Sequence, residues 1–182
     1  QHGHSTALLT LDLRKNELEL QNAIRDKIVH EKPLLIAVSA MTCHWNQLKP
    51  LLAYAKSISD IQILVGGWHP SLSPEEVISD PSIDYICLGE GEAPTLELIE
   101  HLERGEVGHN IRNIWTRTKG AIIKNPLRPL IQNLDDLPLP DRELFSFQEL
   151  VNEGALSGIG PEGPKRVAVL STGRGCLYSC AY

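Results

Sequence analysis

The run Leu34–Ala40 (LLIAVSA) is almost continuously apolar rather than apolar at alternate positions. A strand of that kind is buried on both faces, the condition of an interior strand in a parallel sheet. Pro33 closes the segment before it. There, Asn16 opens a helix with Glu19 at the capping-box offset, and Leu20, Ile24 and Ile28 form its buried stripe. Further upstream, Ala7–Leu13 (ALLTLDL) reads as a strand. Downstream, Asn46 is the expected cap of a helix whose Leu48, Leu51, Leu52, Ala55 and Ile58 share a face. Ile61–Val65 is the next buried strand, stopped by Gly66-Gly67.

The same rhythm continues. Ser73-Pro74-Glu75-Glu76 supplies a cap, a proline at the first helical position and an acid at the third. Tyr85–Leu88 is a short strand ended by Gly89. Pro94 or Thr95 opens a helix through Leu96, Leu98, Ile99 and Leu102, ended by Gly105. Strands separated by helices cannot pair as hairpins, so the expected fold is α/β: a three-layer αβα sandwich around a mainly parallel sheet. After Gly105 the pattern changes. Ile111–Lys124 alternates around Lys119-Gly120 and reads as a β-hairpin. Pro126, Pro129, Pro138 and Pro140 then mark an extended linker. A short helix over Phe145–Val151 and a Gly-rich loop follow, and Arg166–Leu170 (RVAVL) is a final strand. The expected divisions are 1–108, 109–165 and 166–182.

The chain has 182 residues, enough for one sizeable core and a remainder. Its formal net charge is −6, from 17 Lys plus Arg against 23 Asp plus Glu. That balance disfavours phosphate-backbone binding, so nucleic acid is not an expected partner. No apolar run approaches the roughly 18 residues of a membrane span, and no signal peptide is visible. Gln1 is not an initiator Met, so the chain is expected to derive from something longer. Four cysteines do not make a disulfide scaffold, which favours a reducing, cytoplasmic setting.

In an open parallel sheet, ligands bind outside the carboxyl ends of the strands. Three such ends are unusual here: Ser39-Ala40-Met41-Thr42, Gly66-Gly67-Trp68-His69 and Gly89-Glu90-Gly91-Glu92. Small residues admit a ligand close to the backbone, and the Ser39 and Thr42 hydroxyls can hydrogen-bond it. Taken singly, each has a plainer reading: a turn, a hydrogen-bonded loop histidine, or acids favoured at a helix start. Together, along one sheet edge, they suit a long ligand tail threaded between sheet and helix. Cys176 and Cys180, four apart after a Gly-rich turn, can place two thiolates on one metal or cluster. The spacing is one residue wider on each count than the usual zinc pair.

Gly66-Gly67-Trp68-His69-Pro70, Pro74-Glu75-Glu76, Ile83-Asp84-Tyr85 and Gly89-Glu90-Gly91-Glu92 resemble, in that order, the cobalamin-binding domain of B12-dependent radical S-adenosylmethionine (SAM) enzymes. Asn125-Pro126 to Leu130 and Leu134–Arg142 resemble that family's linker, and Ser171–Cys180 resembles the opening of its radical SAM barrel. The branch it is most similar to is the magnesium-protoporphyrin monomethyl ester anaerobic cyclase and methylase branch. The resemblance implies a flavodoxin-like sheet, cobalamin, and, in the full-length protein, a [4Fe-4S] cluster and SAM acting on a small-molecule substrate. It implies that Ser39, Met41 and Thr42 line the cobalamin tail, that Gly66 and Gly67 let it pass, and that His69 and Gly89, Glu90, Gly91 and Glu92 border the same cleft. Cys176 and Cys180 would be cluster ligands.

The chain also departs from the pattern. Ala7–Leu13 matches the family's second strand, so the first β–α unit is expected to be missing. In a 2-1-3-4-5 sheet that leaves a gap beside Leu34–Ala40. The third cluster cysteine and the barrel lie outside the sequence, so the chain alone is expected to be inactive. There is no Asp-x-His-x-x-Gly, and neither His4 nor His69 sits in such a context, so a histidine ligand to cobalt is not supported. Two other readings stand beside the enzyme: a corrinoid carrier or sensor, and a flavodoxin-like domain that has lost its ligand.

Overall fold

In a computed structural model, residues 3–118, 120–145 and 173–175 are described. Three parallel strands form the centre of one sheet: β1 (Leu35–Ser39), β2 (Gln62–Gly66) and β3 (Tyr85–Cys87). Ile36 lies beside Ile63, Val38 beside Val65, and Val65 beside Ile86. The expected hairpin is present as β4 (Ile114–Thr118) and β5 (Ala121–Lys124), and β4 pairs antiparallel with β3 to give the order β1-β2-β3-β4-β5.

Helices cover both faces. On one, α1 (Glu17–Glu31), α2 (Trp45–Ile58) and α4 (Pro74–Ser79) bury Leu20, Ile24, Leu51, Leu52, Ala55, Val77 and Ile78 against Ile63, Val65 and Ile86. On the other, α5 (Glu92–Glu103) packs Leu98 and Leu102 against Leu64, Tyr85 and Cys87. The three-layer α/β expectation holds. The capping box at α1 forms as the sequence predicts: the Asn16 side chain accepts from the Glu19 amide at 3.0 Å.

Four local expectations change. Ala7–Leu13 is not a strand. Its leucines Leu11 and Leu13 pack on the core, and the chain turns at Asp12, whose carboxylate accepts from the Arg14 amide and pairs with the guanidinium. A strand needs a ladder, and in a 2-1-3-4-5 order this segment's only neighbour would be the first strand. For the same reason β1 is an edge strand among the described residues, although its sequence reads as interior. Asn46 does not cap α2. A 3₁₀ turn over Thr42–His44 starts the helix two residues earlier, with His44 at the cap position, burying Trp45, while Ile58 stays exposed. Ser73 precedes α4 as expected, but its side chain makes no capping bond. The segment after Gly67 is a short helix, α3 (Trp68–Leu72), rather than a loop.

The chain divides into two compact units, Leu9–Leu130, and Gln1–Leu8 with Ile131–Tyr182. The second contains a 3₁₀ turn, Leu134–Asp136, capped by the Asn133 side chain. The expected strand Arg166–Leu170, residues 146–151 of the expected helix, and Cys176 and Cys180 lie outside the described residues. Among the described residues no helix is long and apolar enough to cross a membrane.

Candidate functional site

The carboxyl ends of β1, β2 and β3 are sewn together by backbone. The Ala40 amide donates to Gly66 O at 2.8 Å, and the His69 amide donates to Ala40 O at 3.0 Å. Ser71 extends the seam: its hydroxyl donates to Gly67 O at 2.9 Å and accepts from the Gly89 amide at 3.3 Å. The three ends singled out in the sequence therefore form one connected edge.

Gly67 is the tightest point of that edge. Its φ is +93°, and a Cβ there would lie 2.7 Å from Ser39 Oγ and 2.9 Å from both Ala40 N and O. Only glycine tolerates both the dihedral and the approach. A Cβ on Gly66 would meet only Cys87, at 3.6 Å, so that position is small without being sterically forced.

Among the described residues one strip of the sheet is uncovered. Register places Leu35, Ala37 and Ser39 on the same face as Leu64 and Gly66, the face on which α5 packs. Ala37 and Ser39 are exposed and Gly66 is half-buried, whereas Leu64 is buried. A shallow trough of small side chains thus runs along β1 and ends at the glycine seam.

Ser39 lies at the end of that trough, and Met41 and Thr42 are exposed just beyond it. Gly89 is exposed, Glu90 and Gly91 are half-buried, and Glu92 is exposed at the start of α5. His69 is the one predicted member that turns away, being 3% exposed and packed against Trp45 with ring centroids 4.8 Å apart. Its helical turn, absent from the sequence reading, carries the ring inward.

Two contributors carry no sequence signal that singles them out. Ser71 had no signal beyond its place in the strand-end segment. Asn113 holds the Gly89–Glu92 loop from a distance: its Nδ2 donates to Leu88 O at 2.7 Å and Glu90 O at 3.3 Å. Asn113 is itself at φ +73°, a conformation asparagine tolerates better than most residues.

Burial pushes the Cys87 thiol up to about 11, with the Glu92 carboxylate adding to the rise and Arg128 opposing it. At neutral pH its side chain is held as the thiol. Among the described residues no group of three or more His, Cys, Asp or Glu could hold a metal. A cleft of about 600 Å³ opens at the opposite end of the sheet, lined by Leu34, Gln62, Tyr85 and Leu102 among others. The strand-end edge brings exposed hydroxyls and closely approached glycines to the carboxyl ends of parallel strands, where open α/β sheets bind ligands, which is why it is the candidate.

The family model of the B12 binding domain matches residues 1–99. The chain is 28% identical to an uncharacterized methyltransferase, PH0819, of Pyrococcus horikoshii over 82% of the chain and 31% of that protein. It is 27% identical to the anaerobic magnesium-protoporphyrin IX monomethyl ester cyclase of Rubrivivax gelatinosus, over 99% of the chain and 32% of the cyclase. It thus spans about a third of these relatives. The fold resembles the radical SAM methyltransferase TsrM of Kitasatospora setae, solved with cobalamin and a [4Fe-4S] cluster (TM-score 0.62, 17% identity, 69% of this chain and 25% of that one). It also resembles the cobalamin-dependent radical enzyme OxsB with aqua-cobalamin and SAM bound (TM-score 0.59, 24% identity, 70% and 19%).

Proposed function

The chain belongs to the B12 binding domain family, and from that premise we propose that it holds cobalamin along the carboxyl ends of β1, β2 and β3 as one part of a longer radical SAM enzyme. The observation that carries this reading is the connected carboxyl edge of β1, β2 and β3, drawn tight at Gly67, where a Cβ would lie 2.7 Å from Ser39 Oγ. Small residues at those strand ends, Ser39, Gly66 and Gly67, let a long, narrow ligand tail approach the backbone closely.

Ser39 and Thr42 offer hydroxyls to the tail. Gly66 and Gly67 let it lie against the sheet, while Met41 and the Gly89–Glu92 loop border it. His69 serves from behind Thr42, as its burial requires. Cys176 and Cys180 would be two ligands of the cluster. Cobalamin supplies methyl transfer or another radical step, with the cluster and SAM supplying the electron chemistry that starts it. This chain's own part is to bind, orient and partly enclose the cofactor. Two cysteines do not complete a cluster site, so in this reading the 182-residue chain is inactive by itself. SAM cleavage by the isolated chain would overturn that.

The binding claim is tested by loading the full-length gene product with hydroxocobalamin and reading the visible spectrum after gel filtration. Near-stoichiometric retention is expected. Loss of all cobalamin from folded full-length protein would defeat the proposal.

A further inference from the structure

His69 is buried among apolar groups, yet only one of its ring nitrogens is engaged. Nδ1 lies 3.3 Å from Thr42 Oγ1. Nε2 is buried without a hydrogen-bond partner and stands 3.9 Å from Glu76 Oε1, which already accepts from Trp45 Nε1 at 3.0 Å. The ring is held in place by the tilted Trp45 ring and by its own amide, bonded to Ala40 O. A histidine fixed so firmly, with a single polar contact, costs more than an apolar residue of its size unless that contact matters.

With the ring neutral, the contact can be made in two ways. If Nδ1 carries the proton, Thr42 Oγ1 accepts, and a bare Nε2 lone pair faces a carboxylate. If Nε2 carries the proton, Thr42 donates to Nδ1, and the Nε2 N–H faces Glu76. The second arrangement avoids placing a lone pair against negative charge. It also consumes the Thr42 hydroxyl proton, so Thr42 turns only lone pairs outward.

We propose that His69 is a positioning residue: it fixes the Thr42 side chain and makes it a hydrogen-bond acceptor at the mouth of the trough. Thr42 then receives an N–H or O–H of the ligand, such as an amide or hydroxyl of cobalamin, rather than a phosphate oxygen. The inference rests on the cobalamin reading above. Retention by the wild-type protein tests that reading, and the ranking of variants tests this one.

The experiment measures hydroxocobalamin affinity and melting temperature of the full-length gene product carrying His69→Asn, His69→Leu, Thr42→Val and the double variant Thr42→Val/His69→Leu. Asparagine keeps a polar atom as many bonds from the backbone as Nδ1; leucine fills the space without one. His69→Asn should bind within about 3-fold of wild type, and His69→Leu about 10-fold more weakly. Thr42→Val should lose as much as His69→Leu, and the double variant no more than either alone. A role in core packing alone predicts the reverse order, with leucine ahead of asparagine, and would overturn the proposal. So would wild-type affinity in Thr42→Val, whose exposed site keeps it folded even if His69→Leu is not. Imidazole ¹⁵N spectra of histidine-labelled protein should show Nε2 protonated and Nδ1 bare; the opposite tautomer would also overturn it.

Discussion

The two ends of the parallel strands are built from different chemistry. At the amino ends, charged side chains do the fastening. Asp84 accepts from Lys56 Nζ at 2.7 Å and from the Ile63 amide at 2.8 Å, tying the start of β3 to α2 and β2. Nearby, Asp80 accepts from the Ser82 hydroxyl at 2.6 Å and its amide at 2.9 Å, with Lys49 at 3.3 Å. At the carboxyl ends no charged side chain does this work among the bonds described: backbone joins β1 to β2 and the α3 segment, and the neutral side chains of Ser71 and Asn113 stitch β2 and the end of β3. One end spends its polar side chains on stability. The other leaves Ser39, Thr42 and a bare strip of β1 turned outward. A ligand site needs such polar groups, and a scaffold that had already saturated them would have none to offer.

The largest effect should come where the carboxyl-end seam is tightest. Gly67→Ala places a Cβ within 2.9 Å of three atoms and forces an L-residue to φ +93°. We expect a loss of about 2–4 kcal/mol in stability together with loss of cobalamin retention, read by thermal melting and gel filtration of the same sample. A variant that melts like wild type would show that the seam is not rigid.

The amino end should behave differently. Asp84→Ala leaves the Ile63 amide without its acceptor and the half-buried Lys56 ammonium without its counter-ion, though Lys56 keeps Ile61 O, and should cost about 2–3 kcal/mol. Cobalamin affinity of the folded fraction should not change. If affinity fell in step with stability, the division of labour between the two ends would be wrong.

The contrast between the ends also explains what the sequence could disclose. β2, β3, α1, α5 and the hairpin were legible because their signals are local: apolar runs, the Asn16 capping box, and Gly105 and Lys119-Gly120 as punctuation. Two misreadings share a cause, which is dependence on a neighbour. Ala7–Leu13 has strand composition but no ladder partner among the described residues. Asn46 is a good cap, displaced because burying Trp45 favours an earlier start. At the site, the glycines and hydroxyls were visible as unusual strand ends. That Ala37 is open, that His69 turns inward and that Asn113 braces a loop more than twenty residues earlier are consequences of packing, with no local signature.

The smallest test concerns acid. Burial works to raise the pKa of Asp80, but the Ser82 hydroxyl, the Ser82 amide and Lys49 outweigh it and hold the carboxyl below its ordinary 3.8. A carboxylate depressed in the folded state adds stability that is fully present above its unfolded pKa and is lost as pH falls through the folded one. Asp80 therefore stabilises the amino end at neutral pH and ceases to do so in the range below about pH 4. Asp80→Asn removes that dependence. Its melting temperature should lie a few degrees below wild type at pH 7, and the gap should close as pH is lowered past 4. Cobalamin affinity should follow neither curve, because Asp80 belongs to the end of the sheet that the ligand does not touch. An affinity that tracked the titration would place the ligand at the amino ends, beside the cleft lined by Gln62 and Tyr85.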